Sequence, residues 1–469
     1  LEQPYTPHTD QRTAIDFILK HKAVLIKGGV GSGKTLVGVQ AALEAGVETL
    51  LVIGPLNTWK GWRTTTERQS EGARELRWIN SRKAGQEALQ DLMTGVPGWY
   101  FIGRELFRNY SWRKVTLDMV IWDEIHGISN RKSKSFKITK TAKATYKLGL
   151  SATPAGNHLS GMWSVSTWLW PTKTLRSYWS WITQYFMTEP DPYSDFNPKV
   201  TIEREPGKMW AELPAAYKMK SVYTAEPVIH EIEVDISPVQ RKHYRELEEE
   251  ALTWLKGHPL AIDVPAVLHT RLRQVCLAVP SVKQDWIKRK DKETGLWEDV
   301  WGDVVWFDED AKSTKIDALL EILGDLYVEK PVPVLVFTDS RKFATITTKR
   351  LQAKGYRARQ FIGGMSDAER FWKLDNFGKE YDVLVAVISA IGTGTDGLQD
   401  VCNTEVWMNF GWNGIENEQG FGRLSRQGQT KTVQRFIIQA RDTVETRQRE
   451  KLRSDQELLS IGYRDKETV

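Results

Sequence analysis

The sequence predicts an α/β protein: two parallel-sheet lobes joined by a mainly helical, tryptophan-rich connection. Three observations carry this expectation. Short apolar runs alternate with segments of helical spacing in the first third; the last third repeats the alternation; the middle third lacks it and holds 11 of the 20 tryptophans. Strands alternating with helices imply a parallel sheet covered on both faces. The boundaries expected are 1–160 for the first lobe, 161–310 for the connection and 311–469 for the second lobe.

In the first lobe the runs Ala23 to Ile26, Leu50 to Ile53, Trp99 to Ile102 and Met119 to Trp122 read as buried strands, and Ile15, Ile18 and Leu19 fall at helical spacing between them. In the second lobe the corresponding strands are Val334 to Phe337, Val383 to Ile388 and Glu405 to Asn409, with helices expected after Ser340 and Ser366. The connection has one expected strand, Ile229 to Val234, and a surface insertion from Lys283 to Lys312. Its tryptophans, among them Trp163, Trp168, Trp170, Trp179, Trp181, Trp297, Trp301 and Trp306, could stack on unpaired bases. Tryptophans at helical spacing more often fill a core, and the core reading is the one adopted.

Composition narrows the function class. Hydrophobic residues at 41% and charged residues at 27% are ordinary for a globular chain. The net charge of +5 is too mild to identify a polyanion-binding protein, although by thirds it runs +9, −6 and +2. No apolar run approaches the roughly 18 residues that a spanning helix needs, so no membrane partner is expected. Two cysteines, Cys276 and Cys402, exclude a disulfide framework or a thiolate metal cluster, and the eight histidines form no H-E-x-x-H pair. No charged-then-apolar leader opens the chain, which points to the cytoplasm.

The chemistry is carried by a few motifs. The strand ending at Ile26 runs into Gly28, Gly29, Val30, Gly31, Ser32, Gly33, Lys34 and Thr35, a full match to the P-loop pattern in its strand, loop, helix context. Its backbone N–H groups cradle phosphates of ATP, Lys34 reaches the terminal phosphates and the Thr35 hydroxyl can ligate Mg²⁺. The strand ending at Trp122 delivers Asp123, a second Mg²⁺ ligand, and Glu124, placed to orient attacking water, with His126 behind them. Ser151-Ala152-Thr153 follows the next apparent strand and could relay the phosphate state. Far along the chain, Arg423 and Arg426 fall at i, i+3, on one face if helical, and planar guanidinium groups suit charge on a transferring phosphoryl group.

In their order these motifs resemble the superfamily 2 helicase-like ATPases, and within them the Swi/Snf branch of DNA translocases in a minimal bacterial or phage form. Pro7 to Gln11 is similar to the adenine-sensing glutamine motif, Gly54 to Trp62 to motif Ia, Trp122 to Ser135 to motif II and its basic tail, and Ser151 to Trp163 to motif III. Val334 to Ser340 resembles motif IV, Ser389 to Gln399 motif V, and Trp412-Asn413 leading into Gln419 to Gln429 the motif VI region. The P-loop, the Ser-Ala-Thr and the Thr-Asp-Gly of motif V depart from the branch and look like other superfamily 2 enzymes. The resemblance implies RecA-like lobes, ATP and Mg²⁺ as cofactors, Gln11 and Gln419 at the nucleotide, and nucleic-acid contacts at Thr58, Trp59, Lys60, Thr338, Gly363, Arg370, Gly392 and Thr393.

From Arg131 to Lys147 there are seven basic residues and no acid, with Lys134, Lys137, Lys140 and Lys143 spaced by three. Such a row would track a phosphate backbone, and Lys134 and Lys137 join the expected contacts. The reading is therefore a DNA-stimulated ATPase, a motor on duplex or branched DNA, monomeric and open to recruitment by replication, recombination or repair proteins. The alternatives are a strand-separating or annealing helicase, a P-loop ATPase or kinase that ignores nucleic acid, and a non-hydrolysing clamp.

Overall fold

A computed structural model describes residues 3–29, 31–156, 158–191, 194–220, 226–250, 252–255, 258–261, 265–290, 297–391, 397–412, 414–426, 428–450 and 452. The chain folds as two compact units, one of Leu1–Tyr223 with Asn413–Gly422, the other of Thr224–Trp412 with the segment that starts at Arg423.

The first unit is built on a seven-stranded sheet. β1 (Ala23–Lys27), β2 (Thr49–Gly54), β3 (Leu76–Ile79), β4 (Gly98–Gly103), β5 (Leu117–Asp123) and β6 (Ala144–Ser151) are followed by a hairpin, β7 (Phe186–Asp191) and β8 (Ser194–Glu203), and by β9 (Ala216–Lys218). The sheet order is β3-β4-β2-β5-β6-β1-β9, and every pairing within it is parallel. The central strands are near-continuous apolar runs because helices cover both faces; β1, β2 and β5 place Val24, Leu25, Ile26, Leu51, Val52, Val120 and Ile121 fully inside. Helix α1 (Thr9–His21) opens on a reciprocal cap, His8 Nδ1 accepting from the Gln11 N–H and Gln11 Oε1 from the His8 N–H. Helix α2 (Lys34–Glu44) starts directly after the Gly-rich loop, and α3 (Trp59–Gln69) after a short 3-10 turn at Leu56–Thr58.

The second unit holds β10 (Val228–Val234), two hairpins formed by β11 (Leu252–Leu255) with β12 (His258–Ala261) and by β13 (Ser281–Lys290) with β14 (Trp297–Trp306), then β15 (Val334–Thr338), β16 (Ala358–Phe361), β17 (Val383–Val387), β18 (Thr404–Trp407) and β19 (Gln434–Ala440). Its six-stranded sheet runs β10-β19-β18-β15-β17-β16, again all parallel. Ser340 and Ser366 cap the helices Arg341–Ala353 and Asp367–Asn376, their hydroxyls accepting from the Phe343 and Glu369 N–H groups. Two parallel-sheet lobes are thus what the alternation of apolar runs implies.

The stretch 161–310 is divided between the units rather than standing as one connection. It contributes strands as well as helices, because β9 extends the edge of the first sheet and β10 the edge of the second. The core reading holds for Trp168, Trp170 and Trp181, which are buried in the first unit. It fails for Trp301 and Trp306, which stand exposed on the β13–β14 hairpin, because that hairpin joins neither parallel sheet.

Candidate nucleotide site

The functional residues of the first unit gather at the carboxyl ends of four adjacent strands, where ligands of open parallel sheets bind. β1 feeds the Gly-rich loop, β5 ends in Asp123, β6 ends in Ser151 and β2 leads to Thr58. The register fixes their level: Lys27 pairs with Ser151, and Asp123 with Leu150. Because β6 lies between β1 and β5, Ser151 touches both neighbours. Its carbonyl accepts from the Gly28 N–H at 3.1 Å and its hydroxyl donates to Glu124 Oε2 at 2.8 Å.

The loop adopts a phosphate-cradling backbone. Gly31 and Gly33 take φ of +78° and +80°, a region that penalises any side chain. A Cβ on Gly33 would also come 2.2 Å from Gln11 Nε2, which donates to the Ser32 carbonyl at 3.2 Å. The glutamine is thereby tied to the loop through the cap of α1. Ser32 Oγ is buried and has no hydrogen-bond partner in this state, an orphan that a phosphate oxygen would satisfy. Lys34 Nζ donates to the carbonyls of Gly28 and Gly29 at 2.7 and 2.8 Å. Val30 lies outside the described residues.

The two acids behave differently. Burial, reinforced by the neighbouring Glu124, pushes the Asp123 carboxyl above the usual range, opposed by the Trp62 hydrogen bond and by Lys34. Burial pushes Glu124 the same way but is overcome by His126, Lys34 and Ser151, so its carboxyl is held well below the usual range. His126 Nδ1 lies 3.1 Å from Glu124 Oε2. Glu124 takes a left-handed φ of +53°, which turns its side chain out of the strand direction. Thr35 lies in the first turn of α2, and Asp123 with Thr35 suits Mg²⁺ carried in on phosphate oxygens. Among the described residues no group of three or more His, Cys, Asp or Glu converges as a protein-only metal cage.

Two residues of this site have a place that sequence reasoning passed over. Trp62 is buried on α3 and donates its indole N–H to Asp123 Oδ2 at 2.8 Å. It sits at the end of the segment quoted for motif Ia, so its position was visible and its role was not. Glu418, in the short helix Gly414–Phe421, is the second: burial pushes its carboxyl up, against the charges of Lys27 and Lys34. That helix clusters with the first unit, and it carries the buried Gln419.

Other expected residues divide into those exposed and those consumed. Lys60, Lys134, Lys137, Lys140 and Gly363 are exposed, and Phe136 and Thr139 turn inward on the helix Lys134–Thr139. Thr58 spends its hydroxyl on the Pro55 carbonyl at 2.9 Å. Trp59 stacks on Trp78 at 5.4 Å between ring centroids and on Phe101, so it packs inward rather than presenting a free ring. Thr338 is fully buried, its hydroxyl bonded to Asn409 Oδ1 at 2.8 Å, which removes it from direct nucleic-acid contact. Arg370 donates to the Ala390 carbonyl at 2.9 Å and covers the Phe361 ring. Arg423 and Arg426 belong to the second unit and follow the end of the helix at Phe421, in a turn and not on one helical face. Gly392 and Thr393 lie outside the described residues.

The chain is similar to known helicase families and proteins. The family model described as DEAD/DEAH box helicase matches residues 8–160, and that described as helicase conserved C-terminal domain matches 314–428. The chain is 24% identical over 354 residues to an uncharacterised ATP-dependent helicase of Bacillus subtilis, YqhH, covering 71% of this chain and 57% of that protein. It is 33% identical over 165 residues to the DNA repair protein RAD5 of Cryptococcus neoformans, covering 34% of this chain and 14% of that one. The Sulfolobus solfataricus SWI2/SNF2 ATPase core solved with dsDNA aligns over 98% of this chain and 94% of its own, at 17% identity and a TM-score of 0.42. The chain thus spans a little over half the length of the Bacillus relative.

Proposed function

Because the chain belongs to the superfamily 2 helicase-like ATPases, similar to their Swi/Snf branch, we propose that it is an ATP-driven motor on DNA, with duplex DNA as its track. The observation that carries the reading is the chain of contacts at the strand ends: Gly-rich loop, Ser151 and Glu124 on one side, and the adjoining Asp123 with Trp62 on the other. It joins a phosphate cradle to a segment that the family resemblance assigns to nucleic acid.

The loop N–H groups and Ser32 hold the phosphates, and Lys34, now on loop carbonyls, swings to the terminal phosphates when they arrive. Thr35 and Asp123 would hold Mg²⁺, which would supply positive charge to offset that on the transferring phosphoryl group. Glu124, kept ionised by His126, Lys34 and Ser151, orients the attacking water. Ser151 bonds the loop strand and the water-orienting acid together, so the relay expected of Ser-Ala-Thr has a physical route. Arg423 and Arg426 are assigned to charge developing on the phosphoryl group. A relative named for DNA repair and the exposed lysine row after Glu124 support DNA as the track.

ATPase rate measured with no nucleic acid, blunt duplex DNA, single-stranded DNA, branched DNA and RNA tests the reading. Duplex DNA should stimulate turnover most, and equal rates under all five conditions would favour an ATPase that ignores nucleic acid. A strand-displacement assay on a tailed duplex separates translocation from strand separation, the motor reading expecting ATP hydrolysis without release of the strand.

A further inference from the structure

The middle of the chain reaches the second sheet at a place that the nucleotide site does not explain. β15 and β18 are neighbours in register, Phe337 beside Trp407, so Asp339 and Asn409 leave the sheet together just past its carboxyl edge. There they close a small network. Thr338 Oγ1 donates to Asn409 Oδ1 at 2.8 Å, the Asp339 N–H donates to the same oxygen at 3.2 Å, and Asn409 Nδ2 donates to Asp339 Oδ1. The other carboxylate oxygen goes to the helix Pro265–Leu277, where Arg273 donates to it through Nη2 at 2.5 Å. The same nitrogen donates to the Phe410 carbonyl, and the guanidinium lies over the Trp412 ring, 4.8 Å from its centroid.

Two other side chains hold the same stretch by its carbonyls. Lys315, fully buried on the helix Thr314–Leu326, donates to Met408 at 2.5 Å while paired with Glu445, and Gln448 donates to Gly411 at 3.1 Å. Carbonyls past the end of a ladder need donors, and here separate elements supply them, so the exit from β18 is fixed residue by residue. The return is fixed as well. The chain leaves the second unit after Trp412 and rejoins it at Arg423, where Leu424 is fully buried and Gln429 Nε2 donates to the Cys402 carbonyl at 2.9 Å. Arg273 stands on a firm base, since Leu272, Val275 and Cys276 of its helix are buried in a core with Ile236 and Tyr244. Its own side chain is 5% exposed. Removing it leaves the Asp339 carboxylate without this cation and the Phe410 carbonyl without this donor.

We propose that Arg273, with Gln448 beside it, is a positioning residue for ATP hydrolysis: it fixes the exit of the chain from β18, and with it the bearing of the segment that carries Arg423 and Arg426. An arginine at a transferring phosphoryl group works only in position, and a misplacement of about 1 Å can cost about a hundredfold. The inference rests on the assignment of those two arginines to the phosphoryl group. It adds a residue that lies 137 positions before the carbonyl it holds, and one guanidinium thereby ties the segment similar to motif IV to the approach to motif VI.

The test follows DNA-stimulated ATP hydrolysis by the full chain carrying Arg273→Gln, which keeps a polar side chain but neither the charge nor the reach. kcat should fall by about tenfold or more, the factor that one lost hydrogen bond to a charged group corresponds to, with KM for ATP within about twofold, because the Gly-rich loop and both acids lie in the first unit. A loosened fold could also lower kcat, and a second background separates the two causes. In protein carrying Arg423→Ala and Arg426→Ala, followed by single-turnover hydrolysis with protein in excess, Arg273→Gln should cost no more than about twofold further, since nothing remains for it to place. A second tenfold loss there overturns the proposal, as does an unchanged kcat in the single variant. Should Arg273→Gln not fold, Gln448→Ala carries the same comparison: a loss of about threefold or more, confined to protein that keeps both arginines, is expected, and an unchanged kcat overturns the proposal. Full turnover in the protein lacking both arginines overturns their assignment instead, a different result from arginines that matter while Arg273 and Gln448 prove idle.

Discussion

Asp123 accepts a hydrogen bond from Trp62, and Glu124 accepts one from Ser151 and lies against His126, so at residue scale the two neighbouring acids are held by different partners for different work. Lys34→Ala removes the one amine the loop brings to the phosphates, and turnover should vanish in a steady-state ATPase assay. Glu124→Gln keeps shape and loses only charge, so it should bind ATP and Mg²⁺ normally while hydrolysing slowly; normal turnover in either variant would refute the site. Trp62→Phe keeps a buried ring and deletes the donor to Asp123. A hydrogen bond to a charged group contributes about 1.5–3 kcal/mol, so kcat/KM should fall by about tenfold or more, with a higher Mg²⁺ concentration needed for half-maximal rate. Isothermal titration of Mg²⁺ into the ATP-bound Glu124→Gln protein, with and without Trp62→Phe, separates a positioning role from simple destabilisation, because only the former changes metal affinity. The sequence shows these residues unequally. Lys34 and Asp123 are legible because their chemistry needs fixed spacing from a strand end, whereas a tryptophan that bonds an acid 61 positions away leaves no local trace.

The basic row belongs to the scale of elements. Ser133 caps the helix Lys134–Thr139 through its hydroxyl, accepting from the Phe136 N–H at 3.1 Å, and Phe136 anchors it inward. The spacing of three therefore sends Lys134, Lys137 and Lys140 outward together. Changing the three to Ala should flatten the slope of log K against log salt on duplex DNA by about 0.9 for each phosphate no longer neutralised, with basal ATPase unchanged; an unaltered slope would make the row a solvated face. Other elements show how far pattern reading reaches. β1, β2, β4 and β5 are legible because parallel strands buried on both faces are continuous apolar runs. β3 escapes because it is an edge strand whose Arg77 leaves the sheet to pair with Asp91 at 2.7 Å. β19 escapes because Arg435 interrupts it, neutralised inside the sheet by Glu405 of β18. The hairpin tryptophans mislead for a related reason: composition reports how apolar a stretch is, but only topology reports whether a second layer covers it.

At the scale of the whole molecule, the two parallel sheets differ in equipment. The first carries the Gly-rich loop, both acids and Ser151; the second, among its described residues, offers Arg423 and Arg426 just beyond the helix that holds Gln419. A lobe without a phosphate loop of its own has a use for such arginines if, as proposed, they act on the phosphoryl group of the bound nucleotide. Arg426→Ala should then lower DNA-stimulated turnover by about 10³-fold or more, as loss of a finger does, while ATP affinity measured with a fluorescent analogue stays nearly intact. Arg423→Ala should behave similarly. A kinase or a metabolic ATPase complete within the first unit would not notice either change. Full DNA-stimulated hydrolysis in both variants would therefore mean that the first unit is catalytically complete, and the second would have to contribute to the motor by holding DNA alone.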